Sequence, residues 1–548
     1  MIAYNIVSKF IGYRNKTDLT NIPQLITDEQ GKAIRAAILV AGSQNVISND
    51  SDRVGIRKGY TLYGSENTSN NPIRSSYDWL NHRGEERNLR HTDDELQYKY
   101  VDSNGVITWR TLKDSLSTSQ EIFFAEYWDT TELQDSLLFV DGSSSIFEWS
   151  GAITTIASVG ANTLTKSGST TWAEEGFFTT GTRKVVIGGV EYTYTGGEAT
   201  TTLTGVTPDP AAASPAIAAD DIAHQAVKET GNGAMTGIPS AFDNDLIGVL
   251  YNQIYIASTS SRYVYVSKQN NYKDFSFTST RLPGEGALFT LDGAVVGFTP
   301  QEDAMYVTAG VDHWYQTVFQ KSSDLTKETL DIKKLNTTSQ EAAKAQGMIA
   351  KIKNEIVYIS NEPTLDTLGR VENIDTPQSK PLSDPIKVDF DDYDFTNAHI
   401  KYHKNNLYIS VPAEGLVLIR NLEKGFWEAP QVLPVRCFAI IRGSLYGHSS
   451  QTAETYKLFD GTSDNGNPIE ARAGFAYLTG GVEQRANLKT MDEFYVEGYI
   501  SSNTVLSSGI KYDFGGFTQI VEQSIDGNDE SIIFATTTDN SFGKHPIG

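Results

Sequence analysis

The sequence predicts an all-β protein: a six- or seven-bladed β-propeller with an inserted small β-domain and a C-terminal β-sheet domain. Three observations carry this. One is a recurring phrase of an apolar residue, an aromatic, then Ile or Val, followed by turn residues and a second apolar run. It reads Leu138-Phe139-Val140, Ile254-Tyr255-Ile256, Met305-Tyr306-Val307, Val357-Tyr358-Ile359 and Leu407-Tyr408-Ile409, with degenerate copies at Tyr100-Val101 and Leu445-Tyr446. Another is its spacing. Tyr255, Tyr306, Tyr358 and Tyr408 recur about every 50 residues and the outer copies about every 40, as in propeller blades, four-stranded sheets that stack to bury their faces. The last is composition: 27 Tyr, 24 Phe and 46 Gly in 548 residues suit half-buried strands joined by tight turns.

Along the chain, residues 1–65 read as an arm leading into the propeller, and residues 66–155 as its first blades. Within these, the polar and charged stretch 66–95 reads as a long surface loop. Residues 98–109 form a hairpin candidate turning at Ser103-Asn104-Gly105. Residues 156–215 are rich in Thr, Gly and Ala, with a hairpin at 184–194 across Gly188-Gly189. They account for a gap of about twice the repeat between the Phe139 and Tyr255 units. This segment reads as a small β-domain inserted between two blades, where added chain is cheap. Residues 216–466 supply the remaining blades, interrupted by a short helix predicted at 339–346, capped by Ser339 and ended by Gly347. Residues 467–548 read as a C-terminal β-sheet domain with strands at 494–500 and 531–537, then a tail at 542–546.

A formal net charge of -23 argues against tight DNA or RNA binding. Such binding needs Lys and Arg clustered on one face, and the linear sequence shows no such cluster. An acidic wall instead lets a polyanion slide past, and the same acidity keeps a large protein soluble. The single cysteine, Cys437, excludes an intramolecular disulfide and a cysteine zinc cluster, and its apolar surroundings make it a core thiol. No run of about 18 apolar residues marks a membrane span, and residues 1–14 lack a signal-peptide core. The chain is therefore expected to begin its life in the cytoplasm of the producing cell.

Catalytic signatures are missing. The histidines (His82, His91, His224, His313, His399, His403, His448 and His545) are scattered. His399 and His403 share a face, but no Glu completes a zincin motif, and they read as surface or half-buried side chains. Asp389, Asp391, Asp392 and Asp394 are the densest acids. Lacking the mid-loop Gly and final Glu of an EF-hand, they read as an exposed edge strand with most acids outward. Residues 102–109 approach a sialidase Asp-box in composition but not in spacing. No nucleophile elbow, phosphate loop or dinucleotide fingerprint appears. The expectation is a non-enzyme with no catalytic, cofactor-binding or metal residues. Trp314-Tyr315 and Phe426-Trp427 are candidates for stacking on sugars, weighed against burial between blades.

Phe10-Ile11-Gly12-Tyr13-Arg14-Asn15, with Asp18 after it, is followed about 40 residues later by Val54-Gly55-Ile56-Arg57-Lys58-Gly59-Tyr60-Thr61-Leu62-Tyr63-Gly64. This resembles the opening of tailed-bacteriophage propeller proteins, the family of tail nozzle and packaged-DNA stabilisation proteins. Lys457-Leu458-Phe459-Asp460-Gly461, running on to Pro468-Ile469-Glu470, is similar to the family's exit from the propeller. Residues 484–489 and 494–498 resemble its terminal sheet. The resemblance implies a virion tail protein, assembled in the host cytoplasm into a homohexameric ring around the DNA channel. The ring retains the packaged genome and conducts it at ejection without sequence-specific binding. Implied partners are further copies of the chain, the adjacent tail adaptor, and tail fibre or tip proteins. The alternative is a tail-tip module that binds a host glycan or protein.

Overall fold

The computed structural model describes residues 43–473 apart from 49–53, 66–70, 182, 278–280, 322–327, 336–341, 354 and 369–380, and beyond that range the strands at either end. The chain divides into two units, Met1–Ala476 and Tyr477–Gly548. The first contains a β-propeller of seven blades in chain order, each built on antiparallel strands. Blade 1 comprises Ile73–Leu80, Glu86–Thr92, Glu95–Val101 and Ile107–Lys113, and blade 2 begins with Phe123–Asp129, Gln134–Val140 and Ser145–Trp149. Blades 3 to 7 open at Leu246–Leu250, Val295–Gln301, Ile349–Ile352, Ile400–His403 and Val435–Ile441. These first strands follow one another around the axis, and that of blade 7 meets that of blade 1. Tyr77 of blade 1 stacks on Phe124 of blade 2 with ring centroids 5.0 Å apart. The ring is closed.

The recurring phrase marks the second strand of blades 2 to 7: Gln134–Val140, Gln253–Ala257, Ala304–Ala309, Glu355–Ile359, Asn406–Val411 and Ser444–Ser449. A blade's second strand is covered on both faces, so its residues are apolar at both parities. Phe139, Tyr255 and Tyr358 are all buried. The copy at Tyr100-Val101 lies instead on the third strand of blade 1. The second strand there is Glu86–Thr92, with Leu89-Arg90-His91 in place of the phrase. The surface loop expected at 66–95 is thus corrected to the first two strands of blade 1 over most of its length. The buried Arg90 finds its partners within the ring. Arg90 Nε donates to Gln97 Oε1 at 2.9 Å, Nη1 donates to Thr455 Oγ1 at 3.1 Å, and the guanidinium lies 4.2 Å over the Trp109 ring.

Chain ends close the ring. Tyr60–Leu62 pairs with Thr455–Leu458 as the outer strand of blade 7. Gly59 permits this approach, since a Cβ there would lie 1.8 Å from the Ser463 carbonyl oxygen. Beside it the buried Arg57 donates both Nη atoms to Asp464 at 2.6 Å, a bidentate pair, and Nε to Asn45 at 3.1 Å. Further upstream, Val7–Tyr13 pairs in parallel with Ala33–Leu39 and joins Phe426–Trp427 of blade 6. The arm is therefore woven into the blades.

The inserted domain lies inside blade 2, not between two blades. It leaves after Ser145–Trp149 and returns as the fourth strand, Lys228–Gly231. That strand reads Lys-Glu-Thr-Gly, too polar to mark the resumed repeat. The insert folds as a six-stranded sheet around Ile156, Leu164, Trp172, Val185, Tyr192 and Leu203. Two local expectations are corrected. The acids from Asp389 lie on or beside a short helix, Lys387–Asp392, because Phe390 packs its ring against Phe395 and Trp427. Of the helix expected at 339–346, residues 339–341 lie outside the described residues. Ala342 and Ala343 are buried against blade 4, their amides donating to Val311 O and Thr308 Oγ1, before one 3-10 turn, Gln346–Met348. In the second unit Glu493–Gly498 pairs with Ile532–Thr537, and Thr504–Lys511 with Phe517–Ile525. Residues 484–489 and 542–546 lie outside the described residues.

Candidate functional site on the propeller axis

In a propeller the first strands surround a central channel. At their starting end, Glu121 precedes the first strand of blade 2. Its Oε1 accepts from Arg436 Nη2 of blade 7 at 2.8 Å and lies 3.2 Å from Nε2 of His399, just before blade 6. Burial alone would raise the Glu121 carboxyl, but the two basic partners and their hydrogen bonds hold it down at about 2. His399 is also wedged against Gly347, where a Cβ would meet its ring at 2.9 Å. This polar bridge ties blades 2, 6 and 7 together.

A cavity of about 350 Å3 is lined by Tyr77, Phe124, Glu126, Val249, Phe298 and Gln346, among others. Tyr77 Oη donates to Glu126 Oε1 at 3.1 Å. Desolvation raises the Glu126 carboxyl, and the Tyr77 hydrogen bond opposes it. Burial raises the Tyr77 phenol as well, with the Glu126 charge adding to it. Gln346 holds Phe298 through both backbone groups, at 2.6 and 2.9 Å. The cavity offers a carboxylate, a phenol and aromatic faces: room for a small molecule, not for a polymer.

The turns joining first to second strands form the opposite face. A row of exposed side chains crosses it: Leu80 of blade 1, Trp128 of blade 2 (41% exposed), Tyr251 of blade 3 (46%) and Phe319 of blade 4 (38%). The blades are linked here. Trp128 N donates to Asn252 Oδ1 at 2.9 Å, Asn252 Nδ2 donates to Trp128 O at 2.8 Å, and Tyr251 Oη donates to Asp303 Oδ1 at 2.5 Å. Sequence reasoning named Trp314 and Phe426-Trp427 as sugar-stacking candidates, but both tryptophans are buried in their blades. Trp128 escaped notice because the repeat phrase falls on second strands, not first ones.

His399 and His403 serve different roles. The first bridges to Glu121. The second is half-buried, and burial with the nearby Lys404 and Lys401 charges lowers it. Among the described residues no three His, Cys, Asp or Glu side chains converge as for a metal ion. Cys437 is buried, which pushes its thiol up to about 12. Residues 102–109 form the hairpin joining the outer strands of blade 1, where Asp102 Oδ1 accepts from the amides of Asn104 and Val106.

No known family model matches the chain, and no curated protein sequence matches it. Among solved structures it is similar to BamB from Moraxella catarrhalis, at 8% identity over 73% of this chain and 100% of that one, with a TM-score of 0.34. It is also similar to BBS1N in complex with ARL6DN (11% identity, 75% and 99% covered, TM-score 0.34) and to virginiamycin B lyase from Staphylococcus aureus (10%, 73% and 98%, TM-score 0.31). All are β-propeller proteins. Likeness at this level says nothing about activity.

Proposed function

We propose that this chain is a structural protein of a bacteriophage tail. It forms a nozzle-like ring, a hexamer of further copies, that retains the packaged genome and conducts it at ejection. Its partners are the adjacent tail adaptor and fibre or tip proteins. The observation that carries this reading is a closed propeller in an acidic chain (net charge -23 over all 548 residues), built with a separate side domain for neighbours. A rigid acidic wall guides a polyanion without holding it. The cavity beside Tyr77 and Glu126 holds only a small molecule, so in this reading DNA passes between subunits. The resemblance of residues 10–15 and 54–64 to tailed-phage propeller proteins points the same way. Electron microscopy of the purified full chain tests it: rings of about six subunits around an open centre are expected, and particles of single propellers at every concentration overturn it.

A second reading, a tail-tip module that binds host glycan or protein, is favoured by the exposed row Trp128, Tyr251 and Phe319. Aromatics on a surface are common binding anchors. Retention of single propellers by host envelope fractions, lost in Trp128→Ala, distinguishes it from the ring.

A further inference from the structure

The seven first-to-second turns occupy equivalent positions on one face, so residues far apart in sequence become neighbours there. In blades 3 to 7 the first turn residue is Tyr251, Glu302, Lys353, Lys404 and Arg442, each with a left-handed backbone (φ 52, 50, 52, 45 and 48°). That conformation favours Gly, Asn and Asp over long side chains. Three successive blades nonetheless place a base there. Lys353, Lys404 and Arg442 are exposed, and Lys351 of blade 5 is exposed nearby. Their surroundings hold few acids. Glu86 lies 3.8 Å from Arg442, Asp78 lies 3.7 Å from Lys401, and Glu355 and Glu423 border the turns. Among the described residues, Lys351, Lys353 and Lys404 have no ion-pair partner. A cationic arc thus spans blades 5 to 7 of a chain with net charge -23.

The insert is its complement. Residues 151–227 carry seven acids and three bases. Each base is paired inside the insert: Lys166 with Glu175, Arg183 with Glu198, and Lys184 with Glu191. Glu174, Asp209, Asp220 and Asp221 are left without an ion pair among the described residues, and the first three are exposed. The insert replaces the third-to-fourth connection of blade 2. First and third strands run in the same direction, so it rises from the same face as the arc. Glu132 anchors it there, accepting from the amides of Thr179 and Thr180 at 2.7 and 2.9 Å. In a ring of seven blades, blade 2 lies across from blades 5 and 6. Acid and base therefore sit on opposite sides of one face.

We propose that the acidic edge of the insert, Asp209 with Asp220 and Asp221, docks on the Lys353, Lys404 and Arg442 arc of the next copy. The contact is heterologous, joining unlike patches, and repetition closes it into a ring. This rests on the ring reading given above and supplies the contact it needs. Duplex DNA is the less favoured occupant of the arc: three cations release few counterions, and the net charge of -23 on the chain as a whole repels a uniformly charged polymer. The insert edge presents only a few acids, at fixed positions.

The test measures the solution mass of the full chain by light scattering, with electron microscopy, at low and high salt. Variants are K353E/K404E/R442E, D209K/D220K/D221K and the two sets combined, each checked for folding by circular dichroism. Wild-type rings that loosen with salt, a folded single-copy state for each triple variant, and restored rings in the combined variant are expected. Rings that persist unchanged in the triple variants overturn the docking contact while leaving the ring reading standing. A wild type that stays a single copy at every salt concentration overturns both. Retardation of duplex DNA in a gel by wild type, lost in K353E/K404E/R442E, also overturns the proposal by giving the arc a different occupant.

Discussion

His91 and His448 are buried in the strands of blades 1 and 7, and His224 in the insert. Burial holds the first at about 4, the second at about 3 with the Arg90 charge adding to it, and the third at about 4, against an ordinary value of 6.5. Their folded pKa values lie below the unfolded one, so the unfolded chain takes up protons first as pH falls. Stability is therefore full above about pH 6.5 and is lost progressively down to about pH 4 to 3. At pH 5 each histidine costs about 2 kcal/mol. Glu121 adds a separate loss at lower pH. Its folded value of about 2 lies below the ordinary 4.5, so the stability it contributes falls away between those two values. Urea unfolding at pH 7.5 and pH 5 checks the histidines: the midpoint is expected to drop markedly, and an unchanged midpoint overturns their burial as neutral rings. None of this was legible in the sequence, where the eight histidines are simply scattered. Burial, which sets these values, is a property of residues distant along the chain.

Among the elements, the outer strand of blade 7 decides whether the ring stays closed. Tyr60–Leu62 reaches its place only because Gly59 lies against the Ser463 backbone. Gly59→Ala forces Cβ into a carbonyl that cannot step aside, and a loss of at least about 2 kcal/mol is expected. A thermal melt reads it directly; an unshifted melting temperature means the closure is looser than described. The recurring phrase identified the second strands of six blades, because an interior strand must be apolar on both faces. It missed blade 1, where Arg90 takes the aromatic's place and finds Gln97, Thr455 and Trp109 as partners. Likewise the acids near Asp389 looked like an edge strand until Phe390 found Phe395 and Trp427.

At the scale of the whole molecule, the insert is separable from the ring by geometry. Glu148 and Lys228 are directly paired neighbours in blade 2, so removal of residues 151–227 leaves two ends that a short turn can join. The expected product is a folded propeller, with a cooperative melt, that no longer assembles. Circular dichroism and light scattering check the two halves of that expectation, and a chain that fails to fold counts against an independent insert. The axial bridge of Glu121, His399 and Arg436 and the cationic arc of Lys353, Lys404 and Arg442 belong to this scale too. Each gathers residues from separate blades.

By itself the sequence determined the all-β class, the blade repeat, the hairpins at 98–109 and 184–194, and the acidic balance. These follow from periodicity, turn chemistry and composition, which are local or additive properties. Only the tertiary structure decided that there are seven blades and that the insert interrupts blade 2. It alone also sets which polar side chains are buried and where bases scattered along the chain converge. Those depend on ring closure, which brings equivalent positions of separate repeats onto one face at sequence distances that no local pattern records.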